Sequence, residues 1–130
     1  MHLESEKNKV NKSQEELFHF LTEVKNYESI MPNSIQKFEV KGEDSFLFQL
    51  KGMPEIKLLI KDTTPFHQVI LGARSEKLPF TLTANIAEIS SEESEVQLVF
   101  EGEFNAMMAM MIKIPLKNFI NALCENMAKL

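Results

Sequence analysis

Two periodicities divide the chain. Near the start, Leu17, Phe18, Phe20, Leu21 and Val24 keep the three-and-four spacing of a helix with one apolar side. Ser13-Gln14-Glu15-Glu16 precedes them and reads as a capping box: the Ser hydroxyl accepts from the backbone three residues on, and the Glu carboxylate reaches back. Asn26 can cap a second short helix over Tyr27 to Met31, and Pro32 ends it. Before the first helix lies a polar extended piece, Leu3 to Asn11.

From Ile35 the period becomes two. Phe38 and Val40, then Phe46, Phe48 and Leu50, then Ile56, Leu58 and Ile60 alternate with polar or smaller neighbours. Phe80, Leu82, Ala84 and Ile86, and then Val96, Leu98 and Phe100, repeat the pattern. Lys41 to Asp44, Gly52 to Pro54, Thr63 to Pro65 and Ser90 to Glu93 are the turns between. Phe66 to Arg74 is a further strand whose inward side the pattern does not fix. Strands joined by short turns pair antiparallel, and one apolar side per strand means one covered sheet face.

Helical spacing returns at Leu116, Phe119, Ile120, Leu123, Met127 and Leu130. Pro115 fits the first turn of that helix, and Phe104 to Ile114 forms an extra helical piece kinked against it. The long C-terminal helix is the only apolar-faced element left to cover the sheet. The predicted class is α+β: a curved antiparallel sheet of about seven strands wrapped around a long C-terminal helix, with two short helices after strand one. With 130 residues and no visible linker or repeat, residues 1–130 form one domain.

Composition changes the picture mainly by subtraction. The chain carries 14 Lys+Arg against 19 Asp+Glu, a net charge of −5, with no basic cluster. That argues against nucleic acid as a partner. The lone Cys124 excludes an internal disulfide framework, and the three His residues lack metal-ligand spacing, so no metal or cofactor is expected. The start, Met1 to Glu6, lacks the basic and apolar regions of a signal peptide, and no stretch is long enough to span a bilayer. A free cysteine suits a reducing compartment, and a cytoplasmic location is the expectation.

Ten Phe and eight Met, with one Tyr and no Trp, supply apolar lining without hydrogen-bonding handles. Phe46, Phe48, Leu58, Phe80, Leu82, Phe100 and Phe119 project onto the inferred inner face. Phe104, Met107, Met108 and Met111 come from the segment before Pro115. Together they form a candidate wall for an apolar ligand, or else a filled core. His67 and Arg74 are the candidate polar pocket residues: a histidine can transfer protons near neutrality, and an arginine can fork a carboxylate. His19, with Glu15 and Glu23 four residues to either side, reads as a solvated helix face. No catalytic pair can be assembled from spacing.

The stretch Val10 to Leu21, leading to Asn26-Tyr27 and Met31-Pro32, together with the Leu116 to Leu130 helix, resembles the START-like superfamily, also called the SRPBCC or helix-grip fold. The resemblance covers nearly the whole chain. It is closest in flavour to small bacterial members: polyketide cyclase/dehydrase-like proteins, and those similar to the START-like subunit of carbon monoxide dehydrogenase. It implies a cavity between sheet and helix for a small apolar or amphipathic ligand, lipid-like or aromatic. Two alternatives follow from other members: a cyclase- or dehydratase-type enzyme, or a protein-interaction module, homodimer included, that uses the Met-rich segment. The chain departs from the pattern in three respects. Lys41 to Asp44 is a plain turn where the pollen-allergen branch has a Gly-rich loop, no Trp follows the second helix, and the chain is short.

Overall fold

The computed structural model describes residues 1–53, 55–73 and 80–130. Strands β1 (His2–Glu4) and β2 (Asn8–Val10) precede helix α1 (Gln14–Thr22) and a 3₁₀ helix (Val24–Ile30). Six strands follow: β3 (Ile35–Val40), β4 (Ser45–Leu50), β5 (Ile56–Thr64), β6 (Gln68–Ala73), β7 (Phe80–Ser90) and β8 (Glu93–Gly102). Helix α2 (Ala106–Met127) closes the chain. All pairings are antiparallel, in the order β1-β8-β7-β6-β5-β4-β3, with β2 also on β8. The architecture is the expected α+β helix grip, with eight strands among the described residues rather than about seven because the first extended piece divides in two.

Ser5 explains that division. It is buried at the break between β1 and β2, where its Oγ accepts from Leu98 N–H at 2.8 Å and lies 3.1 Å from Cys124 Sγ. One inward-turned serine takes over a ladder bond, and the strand resumes after it. Burial pushes the Cys124 thiol up, so this residue behaves as a small core side chain.

The alternation places Phe46, Phe48, Leu58, Leu82, Leu98 and Phe100 inward, and all are buried. Against them α2 lays Ile112, Leu116, Phe119, Ile120, Leu123 and Met127. Aromatic rings bridge the layers: Phe46 stacks on Tyr27 at 4.9 Å and Phe38 at 5.4 Å, and Phe48 stacks on Phe119 at 5.1 Å. Asn126 Nδ2 donates to the carbonyls of Ile30 (2.8 Å) and Met31 (3.3 Å), fastening the end of α2 to the 3₁₀ helix.

Local expectations fared unevenly. The capping box is present: Ser13 Oγ accepts from Glu16 N–H at 3.1 Å, and Ser13 N–H donates to the Glu16 carboxylate at 3.4 Å. Asn26 does not cap the second helix. That helix begins two residues earlier, and the Asn26 side chain instead donates to Phe20 O at 3.1 Å. The strand expected from Phe66 starts at Gln68, because β5 runs on to Thr64 and residues 65–67 make the turn. The piece before Pro115 is not separate: α2 runs through Pro115 without a break and starts at an Asn105 cap, whose side chain accepts from Met108 N–H at 2.8 Å.

On the outer face, His2 ties β1 to β8, contacting Glu4 at 2.7 Å and Glu101 at 3.0 Å. The hydrogen bond to Glu4, then that to Glu101, raises the His2 pKa above its ordinary 6.5, and His2 lowers that of Glu4. A raised histidine stabilises fully below its unfolded value and loses that contribution as pH rises through its folded value. The lowered Glu4 acts from the other side, contributing above its unfolded value and losing it as pH falls through its folded one. The tie is therefore strongest between the two. Amide protection at Leu3 is expected to fall as pH rises through the histidine range, and His2→Gln should flatten that profile. Protection that stays level in the parent protein would contradict the assignment.

Candidate ligand cleft

The middle of the grip is closed. Between Leu21, Tyr27, Val69, Leu71, Leu82, Leu98, Leu123 and Met127 only about 10 Å³ remains. That is at most room for one water, and the apolar lining gives a water no partners. The space that does open lies at one end, beneath the first half of α2. It measures about 110 Å³ and is walled by Gly52, Met53, Ile56, Phe80, Phe100, Phe104, Met108, Met111, Ile112 and Leu116.

Three aromatic rings shape the sheet side of this cleft. Phe80 and Phe100 approach at 4.8 Å, and Phe104 stacks parallel to Phe100 at 6.1 Å. Gly102 makes their arrangement possible. It pairs with Phe80 in the ladder, and a Cβ on it would stand 2.7 Å from the Phe104 ring and 2.8 Å from Phe80 Cβ. Alternation along β8 gives an inward ring at Phe100, an empty position at Gly102, and Phe104 folded into that emptiness.

The opposite wall is the start of α2. That half of the helix, Ala106 to Ile114, is apolar on every side except at Lys113. Met108 and Ile112 face the cleft, whereas Met107, Met110, Met111 and Ile114 are 75%, 82%, 68% and 69% exposed. A second, shallower groove of about 350 Å³ runs along the other flank of α2 between Pro32, Lys51, Met53, Ile114, Pro115 and Phe119.

Of the expected lining residues, the structure brings Phe80, Phe100, Phe104, Met108 and Met111 together on the cleft. Phe46, Phe48 and Leu58 are buried in the core, Leu82 borders the closed central gap, and Phe119 stacks on Phe48 while its edge meets the outer groove. Met107 turns outward to solvent. Gly52, Met53, Ile56, Ile112 and Leu116 complete the wall and escaped sequence reasoning. Met53 lies in a turn, where periodicity says nothing. Gly102 escaped as well, although a glycine among alternating Phe residues is the kind of signal that marks close approach.

His67 is exposed in the turn between β5 and β6 and does not line the cleft. Arg74 lies outside the described residues. His19 is exposed on α1, with Glu15 at 3.7 Å and the Phe66 ring at 5.6 Å. Among the described residues no titratable side chain lines the cleft, and no group of three or more His, Cys, Asp or Glu is placed to hold a metal. Such a wall offers dispersion and water exclusion, and it offers no proton transfer.

Neither a protein-family model nor a curated protein matches the chain. Solved structures do, and they define the class: the fold is that of START-like, helix-grip proteins. A START superfamily protein from Mycobacterium smegmatis superposes with a TM-score of 0.74 at 10% identity, over 98% of this chain and 94% of that one. A conserved protein from Geobacillus kaustophilus gives 0.69 at 15% identity, over 99% and 93%. Norcoclaurine synthase from Thalictrum flavum gives 0.76 at 10% identity, over 99% and 84%, and it has also been solved with dopamine and hydroxybenzaldehyde bound. Among the described residues no helix is long and apolar enough to cross a membrane.

Proposed function

We propose that this protein binds a small apolar or amphipathic molecule, inserting one aromatic ring or a short alkyl segment into the cleft beneath α2. The observation that carries this reading is a cleft of about 110 Å³, walled by apolar side chains and open to the surface, in a fold whose centre is otherwise filled.

Size narrows the ligand. Pockets that enclose drug-sized molecules measure roughly 300–1,000 Å³. An engineered apolar cavity of about 150 Å³ takes a single benzene. The cleft therefore suits one ring or a few methylenes, and the remainder of a larger ligand stays outside. The ring-sized molecules bound by norcoclaurine synthase on the same fold support this class. A cyclase- or dehydratase-type reaction is less well supported, because the described cleft wall supplies no acid or base.

Methionine methyl resonances test the proposal directly. On titration with toluene or hexanol, the methyls of Met53, Met108 and Met111 are expected to shift saturably, with an affinity near the millimolar range expected of a single buried ring. Met31 and Met127, buried elsewhere, are expected to stay put. The reading fails if no methyl shifts saturably, or if only Met107 and Met110 respond.

A further inference from the structure

We propose that the outward face of the first half of α2 docks reversibly on an anionic lipid surface. Met107, Met110, Met111 and Ile114 follow the i, i+3, i+4, i+7 pattern, so they form one continuous stripe. Met107, Met110 and Ile114 lie on the side of the helix opposite Ile112 and Leu116, which face the protein, and Met111 sits at the rim where the stripe meets the cleft. Further along the helix the same outward side carries Asn118 and Glu125, which are exposed to water, and Asn121, whose Oδ1 accepts from Glu6 N–H at 3.1 Å. A helix side that is apolar for two turns and polar thereafter has been given something apolar to meet at one end only.

Charge selects the occupant. The chain as a whole carries −5, yet no acidic residue occurs between Glu103 and Glu125. The first turn of α2 is free of acids and is capped by the neutral Asn105 side chain, so no carboxylate within that turn offsets the partial positive charge of the N-terminus. Lys113 is exposed beside the stripe, and exposed Lys51 lines the groove that Ile114 also borders. Among the described residues neither lysine carries an ion pair. Lys117, by contrast, is engaged with the Glu4 carbonyl. Glu103, the nearest acid in sequence, lines a different groove with His2 and Lys61. An acidic protein thus presents one apolar face edged by cations.

Four such side chains expose on the order of 500 Å² of apolar surface. Charge, rather than area, argues against a second copy: two faces each edged by lysines would repel one another, whereas an anionic surface attracts them. An interfacial helix needs only its own apolar side plus nearby lysines, each worth about tenfold or less in affinity at an anionic surface. Methionine, flexible and polarizable, accommodates an irregular acyl boundary. This role does not require a ligand in the cleft.

Co-sedimentation with vesicles of phosphatidylcholine, with and without phosphatidylglycerol, tests the assignment. The parent protein is expected to pellet with the anionic vesicles and at least several-fold less with neutral ones, and added salt should release it. The double variant Met107→Glu/Met110→Glu should lose binding. Lys113→Glu should weaken it about tenfold. Both alter exposed side chains, so circular dichroism should match the parent. The proposal is overturned if the parent fails to pellet, if the double variant pellets equally well, or if sedimentation velocity shows a parent dimer that the double variant abolishes.

Discussion

Phe46→Ala is expected to lower the free energy of unfolding by about 3–5 kcal/mol, the usual range for removing a buried ring. Phe46 is fully buried, stacks against both Tyr27 and Phe38, and stands 6.0 Å from Phe48. It joins three layers: the 3₁₀ helix, the outer strand β3 and the ring pair that reaches α2. Rigid strands on two sides prevent the site from collapsing into the space, so the cavity term adds to the lost transfer energy. Domains of this size are stable by about 5–15 kcal/mol, and the variant should therefore lie near the limit of folding. Urea denaturation should show a large fall in midpoint with little change in slope. Val40→Ala, at a half-exposed position on β3, should shift the midpoint far less. A loss below about 1 kcal/mol at Phe46 would mean that the ring seam is not packed as described.

The second large effect is expected at Gly102. A valine there must displace Phe104 or Phe80, since even its Cβ would stand 2.7 and 2.8 Å from them. Overpacking of this kind costs about 1–3 kcal/mol. The functional consequence should exceed the structural one. Phe104 swings out of its stack on Phe100, the cleft loses one wall, and the saturable methyl shifts of Met108 and Met111 with toluene should disappear. Gly42→Val offers a control, because a Cβ there meets nothing nearer than Ser45 Oγ at 3.4 Å and Asp44 Oδ1 at 4.0 Å. Unchanged toluene binding in Gly102→Val would show that Phe104 does not shape the site.

These two positions also show where sequence is informative. Phe46 lies in a stretch of strict alternation, so its burial follows from the period alone. The strands, the capping box and the covering role of α2 were legible for the same reason: each is a local pattern with one apolar side. Register and breaks were less legible. Ser5 turns inward at the break in the first strand onto partners far along the chain, Leu98 N–H and, 119 residues away, Cys124 Sγ. The β5–β6 turn falls at residues 65–67 because β5 runs on to Thr64, past a register irregularity between Ile60 and Asp62 that the alternation does not show. The cleft was legible only in part. Periodicity assigns inward rings to the interior but cannot say which of them meet closely and which stand apart around a space. The Ala106–Ile114 segment is apolar nearly all round, so its spacing gave no reason to choose the exposed side. That choice depends on which flank the sheet reaches.

Tyr27 carries a consequence of another kind. It is the only tyrosine in a chain without tryptophan, it is 4% exposed, and its hydroxyl donates to Leu21 O at 2.7 Å. Burial drives its phenol well above the ordinary value, because a phenolate there would have neither water nor a cation. Absorbance at the long-wavelength end of the near ultraviolet therefore comes from a single buried chromophore, stacked on Phe46, while the ten phenylalanines absorb at shorter wavelength. Alkaline titration of that chromophore registers the opening of the whole fold, and no label need be added to follow it.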